Sequence, residues 1–206
     1  MRNFCTLALL SIVLGPALAV ERASAQTAVN VSAHIGSFHL AVANYYHVPE
    51  REVVVIKKQR IPDEEIPVAL FIAQRAVVSS ATVVNFRLRG ESWWDISVRF
   101  GLTPDVYYVP VAGNPGPPYG RAYGHYKKKS RDQWKTIVLT DADIVNLVHL
   151  RFLSEHYRVA PERIIEMRRE RDFVAIHASV KGRDKGGYRS ETDHGRDKGK
   201  GKQAHR

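Results

Sequence analysis

An apolar pattern of five residues, which occurs three times, constrains the fold more than any other feature of the sequence. In each copy two aliphatic residues, a spacer, a large apolar residue and a cation follow one another, and the copies begin at Val53, Val83 and Ile164. A polar stretch and a second apolar run come after each copy. Repetition of this kind is typical of units that cannot bury their apolar sides alone and therefore pack together. The predicted repeats are about 45–75, 79–101 and 157–180.

Capping and turn residues indicate that each repeat is a pair of α-helices. Pro49 and Pro161 each precede a glutamate, an order typical of the first turn of a helix. Ser79 is typical of an N-cap, and Gly90 of a residue just past a last turn. The β-branched residues of 53–56 leave a strand open as an alternative there. The predicted fold class is all-α, with three diverged helix hairpins packed as one small domain over residues 26–180.

The clearest single helix of the sequence follows the second repeat at a distance. Thr140 and Asp143 form a capping-box-like start, and apolar residues at helical spacing follow. This helix should end near Tyr157, ahead of the third repeat. In the second repeat, Trp93 and Trp94 are adjacent, so on a helix one should fill the core while the other lies at its margin.

A segment rich in Pro, Gly and Tyr separates the second repeat from this helix. We expect residues 109–131 to form an irregular loop, because Gly and Pro interrupt regular structure. Flat aromatic rings next to cations suit sugars, polyanions or single-stranded nucleic acid. The alternative is that the tyrosines anchor a long loop to the helices while the lysines stay solvated. The residues of this predicted ligand-binding loop are Tyr119, Tyr123, Tyr126, Lys127, Lys128, Lys129 and Arg131.

The first 25 residues have the layout of a secretory signal peptide. Arg2 precedes an apolar run from Phe4 to Leu14, and Ala23-Ser24-Ala25 offers a cleavage site. The run is too short for a permanent membrane span, and no second one is long enough. We therefore expect an exported protein, in the periplasm, cell envelope or extracellular space. Since Cys5 is the only cysteine, the mature chain should hold no disulfide and no cysteine-ligated metal.

Residues 181–206 concentrate positive charge. They hold nine Lys and Arg against four acids, in a chain whose formal net charge is +10. Glycine is frequent and aliphatic residues are almost absent, a composition typical of a disordered tail. The tail is either a solubilising segment or an electrostatic attachment to lipid headgroups, cell-surface phosphate or nucleic acid.

No motif of the sequence has the spacing of a catalytic, cofactor or metal site. A Gly-x-Ser-x-Gly elbow is absent, and His149 and His156 lie two helical turns apart, too far for one ion. We therefore predict no cofactor and no metal. The predicted function is a non-enzymatic helical protein of the cell envelope that binds an anionic partner. The alternatives are an envelope hydrolase whose site forms from distant residues, or a nucleic-acid-binding protein.

Overall fold

A computed structural model of the protein describes residues 35–184, and in this range the chain is helical and forms no strand. The predicted all-α class is confirmed. The leader and residues 185–206 of the tail lie outside the described range. In chain order the α-helices are α1 (Ser37–Tyr46), α2 (Glu50–Lys58), α3 (Ile66–Ala76), α4 (Ser80–Leu88), α5 (Trp93–Arg99), α6 (Gly120–Lys128), α7 (Asp141–Tyr157), α8 (Pro161–Arg168) and α9 (Phe173–Asp184). Short 3-10 helices cover Asp63–Glu65, Pro104–Tyr107 and Arg131–Thr136.

Helices α3 and α7 form the centre of the core. Every residue from Ile66 to Ala73 is buried, so the first two turns of α3 are apolar all round, as expected of a helix enclosed by others. Helix α7 contacts α1, α3, α5, α8 and α9. Its buried residues include Ile144, Leu147 and Phe152. Helices α1, α2, α4, α5, α8 and α9 each contact at least one of these two.

Local hydrogen bonds explain where three of the helices begin. The hydroxyl of Ser79 accepts a hydrogen bond from the amide of Thr82, and Ser92 accepts one from the amide of Asp95. Thr140 forms a complete capping box at the start of α7. These caps satisfy amides that have no acceptor inside the helix. The predicted start of α7 and its end at Tyr157 are confirmed.

Two helices lie in each predicted repeat segment: α2 and α3, α4 and α5, and α8 and α9. The segment 53–56 lies within α2, so the strand alternative is wrong. Trp93 is fully buried whereas Trp94 is half-buried, as their adjacent positions predicted. Gly90 and Gly101 have φ angles of 87° and 73° just beyond α4 and α5, a conformation that favours glycine after a helix.

The expected irregular loop over residues 109–131 is wrong in its second half, where α6 forms. Tyr119, Ala122, Tyr123 and Tyr126 are buried at the spacing of one helix side. Burial of these residues outweighs the low helix propensity of Gly120 and Gly124. Helix α9 extends to Asp184, beyond the predicted end of the domain at residue 180. Within residues 35–184 no helix is long and apolar enough to cross a bilayer.

Candidate ligand site beside helix α6

Helix α6 has one side in the core and a cationic end in solvent. Lys127 and Lys128 lie in its last turn and are exposed. Cations at this end of a helix interact favourably with its dipole. Tyr119 at the N-cap and Tyr123 and Tyr126 within the helix are 1%, 7% and 3% exposed. The segment therefore holds the predicted tyrosines in the core and the ammonium groups of Lys127 and Lys128 in solvent.

The burial of these tyrosines fits the alternative in which they anchor the segment to the helices. The hydroxyl of Tyr123 donates to the carbonyl of Val109 at 2.5 Å, and that of Tyr126 donates to the carbonyl of Pro104 at 2.6 Å. Desolvation raises the pKa of both phenols well above the usual range. They stay protonated and serve as donors that tie α6 to the preceding chain, as the anchoring alternative proposed.

Two further aromatic residues complete a cluster with Tyr123 and Tyr126. The ring centroid of Tyr108 lies 4.6 Å from that of Trp134, 5.0 Å from that of Tyr126 and 5.8 Å from that of Tyr123. The indole Nε1 of Trp134 donates to the carbonyls of Tyr126 and Lys129, at 3.1 and 3.2 Å. Trp134 thus satisfies carbonyl groups at the end of α6. Trp134 was not among the predicted site residues, although its position soon after the basic run could have indicated it.

A cavity of about 290 Å³ lies against this aromatic cluster. The side of α6 that lines it carries Gly120, Tyr123, Gly124 and Lys127, which share one side of a helix by spacing. A Cβ added at Gly120 or Gly124 would meet no atom within 4 Å, so the glycines leave open space. The other lining residues are Tyr108, Val111, Gly113, Asn114, Pro115, Tyr126 and Trp134.

The cavity unites three of the seven predicted site residues: Tyr123, Tyr126 and Lys127. The remaining four lie elsewhere around the segment. Tyr119 is buried, Lys128 and Arg131 are exposed, and Lys129 is half-buried with its Nζ 2.6 Å from the hydroxyl oxygen of Thr136.

Cations outnumber acids in the segment around α6. Residues 119–136 contain six cations and a single acid, Asp132. The guanidinium of Arg131 lies 5.0 Å from the centre of the Trp134 ring, within range of a cation–π interaction. Arg121 approaches the buried carboxylate of Asp143 at 4.0 Å. The exposed cations Lys127, Lys128 and Arg131 therefore present a basic surface that we call the α6 basic patch.

A larger cavity, of about 660 Å³, lies between α2, α3 and α4. Half of its fourteen lining residues are aliphatic, among them Val55, Ile56 and Leu70. At its edge the hydroxyl of Ser80 donates to a carboxylate oxygen of Glu52 at 2.6 Å. The lining of this cavity has a single aromatic residue, Tyr46, and one cation, Arg51.

A chain of hydrogen bonds joins Ser37, His177 and Tyr157 at the start of α1. The Oγ of Ser37 lies 3.1 Å from Nε2 of His177, and Nδ1 of the same ring lies 2.6 Å from the hydroxyl oxygen of Tyr157. Burial lowers the pKa of His177 to about 4, with smaller contributions from Lys181, His156 and His39. The ring is therefore neutral at pH 7. The sequence did not indicate this group, because its members are up to 140 residues apart.

Comparisons of the chain with known protein families, curated proteins and solved structures gave no match.

Proposed function

We propose that this protein is an exported, non-enzymatic binding module of the cell envelope that holds an anionic partner at the α6 basic patch. The observation that carries the proposal is the exposure of Lys127, Lys128 and Arg131 on a segment whose backbone is fixed by Tyr126 and Trp134. Clustered cations repel one another, and phosphate or carboxylate groups relieve that repulsion.

Anchoring of the patch strengthens this argument. A long charged side chain loses conformational freedom when it binds, and a mobile backbone would add to that loss. Here Trp134 donates to two carbonyls at the end of α6, and Tyr126 ties the same turn to Pro104. The partner therefore meets cations on a backbone that is already ordered.

The test measures the affinity of the full chain for inorganic polyphosphate over a series of salt concentrations. We expect the triple variant Lys127→Gln, Lys128→Gln, Arg131→Gln to bind at least tenfold more weakly. Its affinity should also depend less steeply on salt, since fewer counterions are released. The matched control replaces Lys58, Arg60 and Arg158, three exposed cations far from α6 in sequence, by Gln and loses the same charge.

Equal weakening in the two triple variants would overturn the proposal, because affinity would then follow net charge alone. The experiment has two other arms, one with vesicles that contain an anionic lipid and one with single-stranded DNA. Comparison of the three affinities shows whether a membrane surface, a nucleic acid or polyphosphate is the preferred source of the anionic groups. Removal of residues 185–206, which lie outside the described range, measures what the tail adds.

The hydrolase alternative has one observation in its favour, the chain from Ser37 through His177 to Tyr157. A serine within reach of a neutral histidine, itself held by a third group, is the arrangement that activates a nucleophile. Ser37 is exposed and lies in the first turn of α1, where helix amides favour a developing oxyanion.

A fluorophosphonate probe tests this second candidate. The Oγ of Ser37 would attack phosphorus, fluoride would leave, and the serine proton would pass to Nε2 of His177. Labelling that is lost in both Ser37→Ala and His177→Gln, and kept in Ser79→Ala, supports a hydrolase. Absence of labelling in the unaltered protein rejects it.

We also propose that the three helix pairs descend from one duplicated unit. Each pair begins in a segment with the same five-residue pattern. The first and third pairs also share the residues that precede it, a tyrosine followed at the same distance by Pro-Glu-Arg. Superposition of α2–α3, α4–α5 and α8–α9 with matching interhelical angles supports common descent, whereas unrelated angles argue against it.

A further inference from the structure

We propose that the cavity beside α6 binds a small planar anion: an aromatic ring that carries one carboxylate or phosphate group. The ring would lie against the Tyr108, Tyr123 and Trp134 side chains, with the anionic group at Lys127. The inference rests on the proposed function, since Lys127 belongs both to the cavity and to the α6 basic patch.

The size of the cavity limits the ligand to about one ring. Its volume is about 290 Å³, at the lower end of the range for small-molecule sites. The larger cavity, of about 660 Å³, has room for more, but Tyr46 is the one aromatic residue of its lining and offers little surface for a flat ring. Shape and lining together therefore favour the smaller cavity for a planar ligand.

The hydrogen bonds that the lining side chains already form limit the chemistry of the ligand. The hydroxyls of Tyr123 and Tyr126 and the indole N–H of Trp134 all donate to backbone carbonyls. Of the aromatic residues in the lining, Tyr108 alone keeps a hydroxyl that forms no hydrogen bond with another described residue. A sugar with a hydroxyl on nearly every carbon would leave several of them unpaired against this wall, which is costly.

Besides the hydroxyl of Tyr108, two polar side chains of the lining remain able to donate. Lys127 is exposed and carries an ammonium group, and the Oδ1 of Asn114 accepts from the amide of Gly116 at 3.4 Å, which leaves its NH₂ group as a donor. A neutral ring would not use the ammonium group of Lys127, and a cationic ring would be repelled by it. An apolar ring with one anionic substituent satisfies both the wall and the rim.

The two glycines of α6 keep the space open. Gly124 lies inside the helix, where glycine lowers helix propensity relative to alanine, and no atom lies within 4 Å of the Cβ that it lacks. Packing therefore does not require glycine at this position. Its effect is to leave room beside Tyr123 and Lys127 on the cavity side of the helix.

Calorimetric titration of the full chain with benzoate and phenyl phosphate tests the inference. We expect both to bind, and benzyl alcohol, benzylamine and acetate to bind at least tenfold more weakly. Gly124→Leu should reduce affinity for benzoate at least tenfold by filling the cavity, and Lys127→Gln should do so by removing the cation. The matched controls Ala178→Leu, at an exposed position of α9, and Lys58→Gln, at the exposed end of α2, should leave benzoate binding unchanged.

Thermal unfolding of Gly124→Leu confirms that the variant is folded, and polyphosphate binding separates the two proposals. Gly124→Leu keeps every cation and should bind polyphosphate as the unaltered chain does. If benzoate and phenyl phosphate do not bind while polyphosphate does, this inference is overturned and the proposed function stands. If the planar anions bind, but the unaltered chain binds polyphosphate no more tightly than the triple Gln variant does, the proposed function is overturned instead.

Discussion

The guanidinium of Arg87 donates two hydrogen bonds to the carboxylate of Glu65, from Nε at 2.9 Å and from Nη2 at 2.7 Å. The remaining nitrogen, Nη1, donates to Asp141 at 2.6 Å. The same guanidinium lies 4.7 Å from the ring centre of Trp93. One side chain of α4 therefore connects the residue before α3, the start of α5 and the start of α7.

Replacing Arg87 with methionine should destabilise the fold by about 2–4 kcal/mol, because two half-buried carboxylates lose their cation. Arg87→Lys should recover only part of this loss, since an ammonium group cannot bind Glu65 with two parallel hydrogen bonds. Urea unfolding at pH 7 measures both changes. A cost below about 0.5 kcal/mol for Arg87→Met, the size of an exposed pair, would contradict the prediction.

Acid should destabilise the protein through its buried histidines. Burial lowers the pKa of His149 to about 4, and the same cause dominates for His177, whose pKa is also about 4. The unfolded rings have pKa values near 6.5 and bind protons first as the pH falls. The stability that these rings contribute is complete above about pH 6.5 and is lost between about pH 6.5 and 4, at up to about 1.4 kcal/mol per pH unit for each ring.

His149→Gln tests this pH dependence at the most buried ring. The Nε2 of His149 lies 2.7 Å from the carbonyl oxygen of Glu64, and the glutamine amide is a donor that does not titrate. Between pH 7 and pH 5 the variant should lose roughly 2 kcal/mol less stability than the unaltered protein. Equal losses in the two proteins, measured by urea unfolding at both pH values, would exclude His149 as a source of acid sensitivity.

Val77 should be one of the few positions where glycine stabilises this protein. It follows α3 with a φ of 55° and is 90% exposed, so its branched side chain is strained and buries little surface. Val77→Gly should raise the free energy of unfolding by about 1 kcal/mol. The same exchange at Val55, half-exposed within α2, should lower it by about 0.5 kcal/mol or more. Effects of the same sign at both positions would show that strain at Val77 is unimportant.

Two tyrosines near α6 should respond in opposite ways to the loss of a hydroxyl. Tyr126 donates to the carbonyl of Pro104, so Tyr126→Phe should cost about 1–2 kcal/mol. The buried hydroxyl of Tyr119 finds no hydrogen-bond partner among the described residues, so Tyr119→Phe should be neutral or stabilising. Thermal unfolding of both variants compares an anchoring hydroxyl with an unpaired one, and a similar cost for each would contradict the anchoring role of Tyr126.

The features that were predictable from the sequence are local ones. Thr140 and Asp143 are three residues apart and define a helix start by themselves. The adjacency of Trp93 and Trp94 predicted that one ring would be buried and the other marginal, although not which one. Helix α6 was missed because its glycines suggested a loop, although its buried residues recur at helical spacing. The hydrogen bonds of Arg87 span 22 and 54 residues, and no local pattern predicts which distant carboxylates a cation will meet.

Mapping of bound polyphosphate by NMR on the full chain locates the binding site without any substitution. The amides of residues 127–131 and the indole N–H of Trp134 should shift on titration, while the buried indole of Trp93 should not. Shifts confined to residues outside 119–136 would contradict the proposed function.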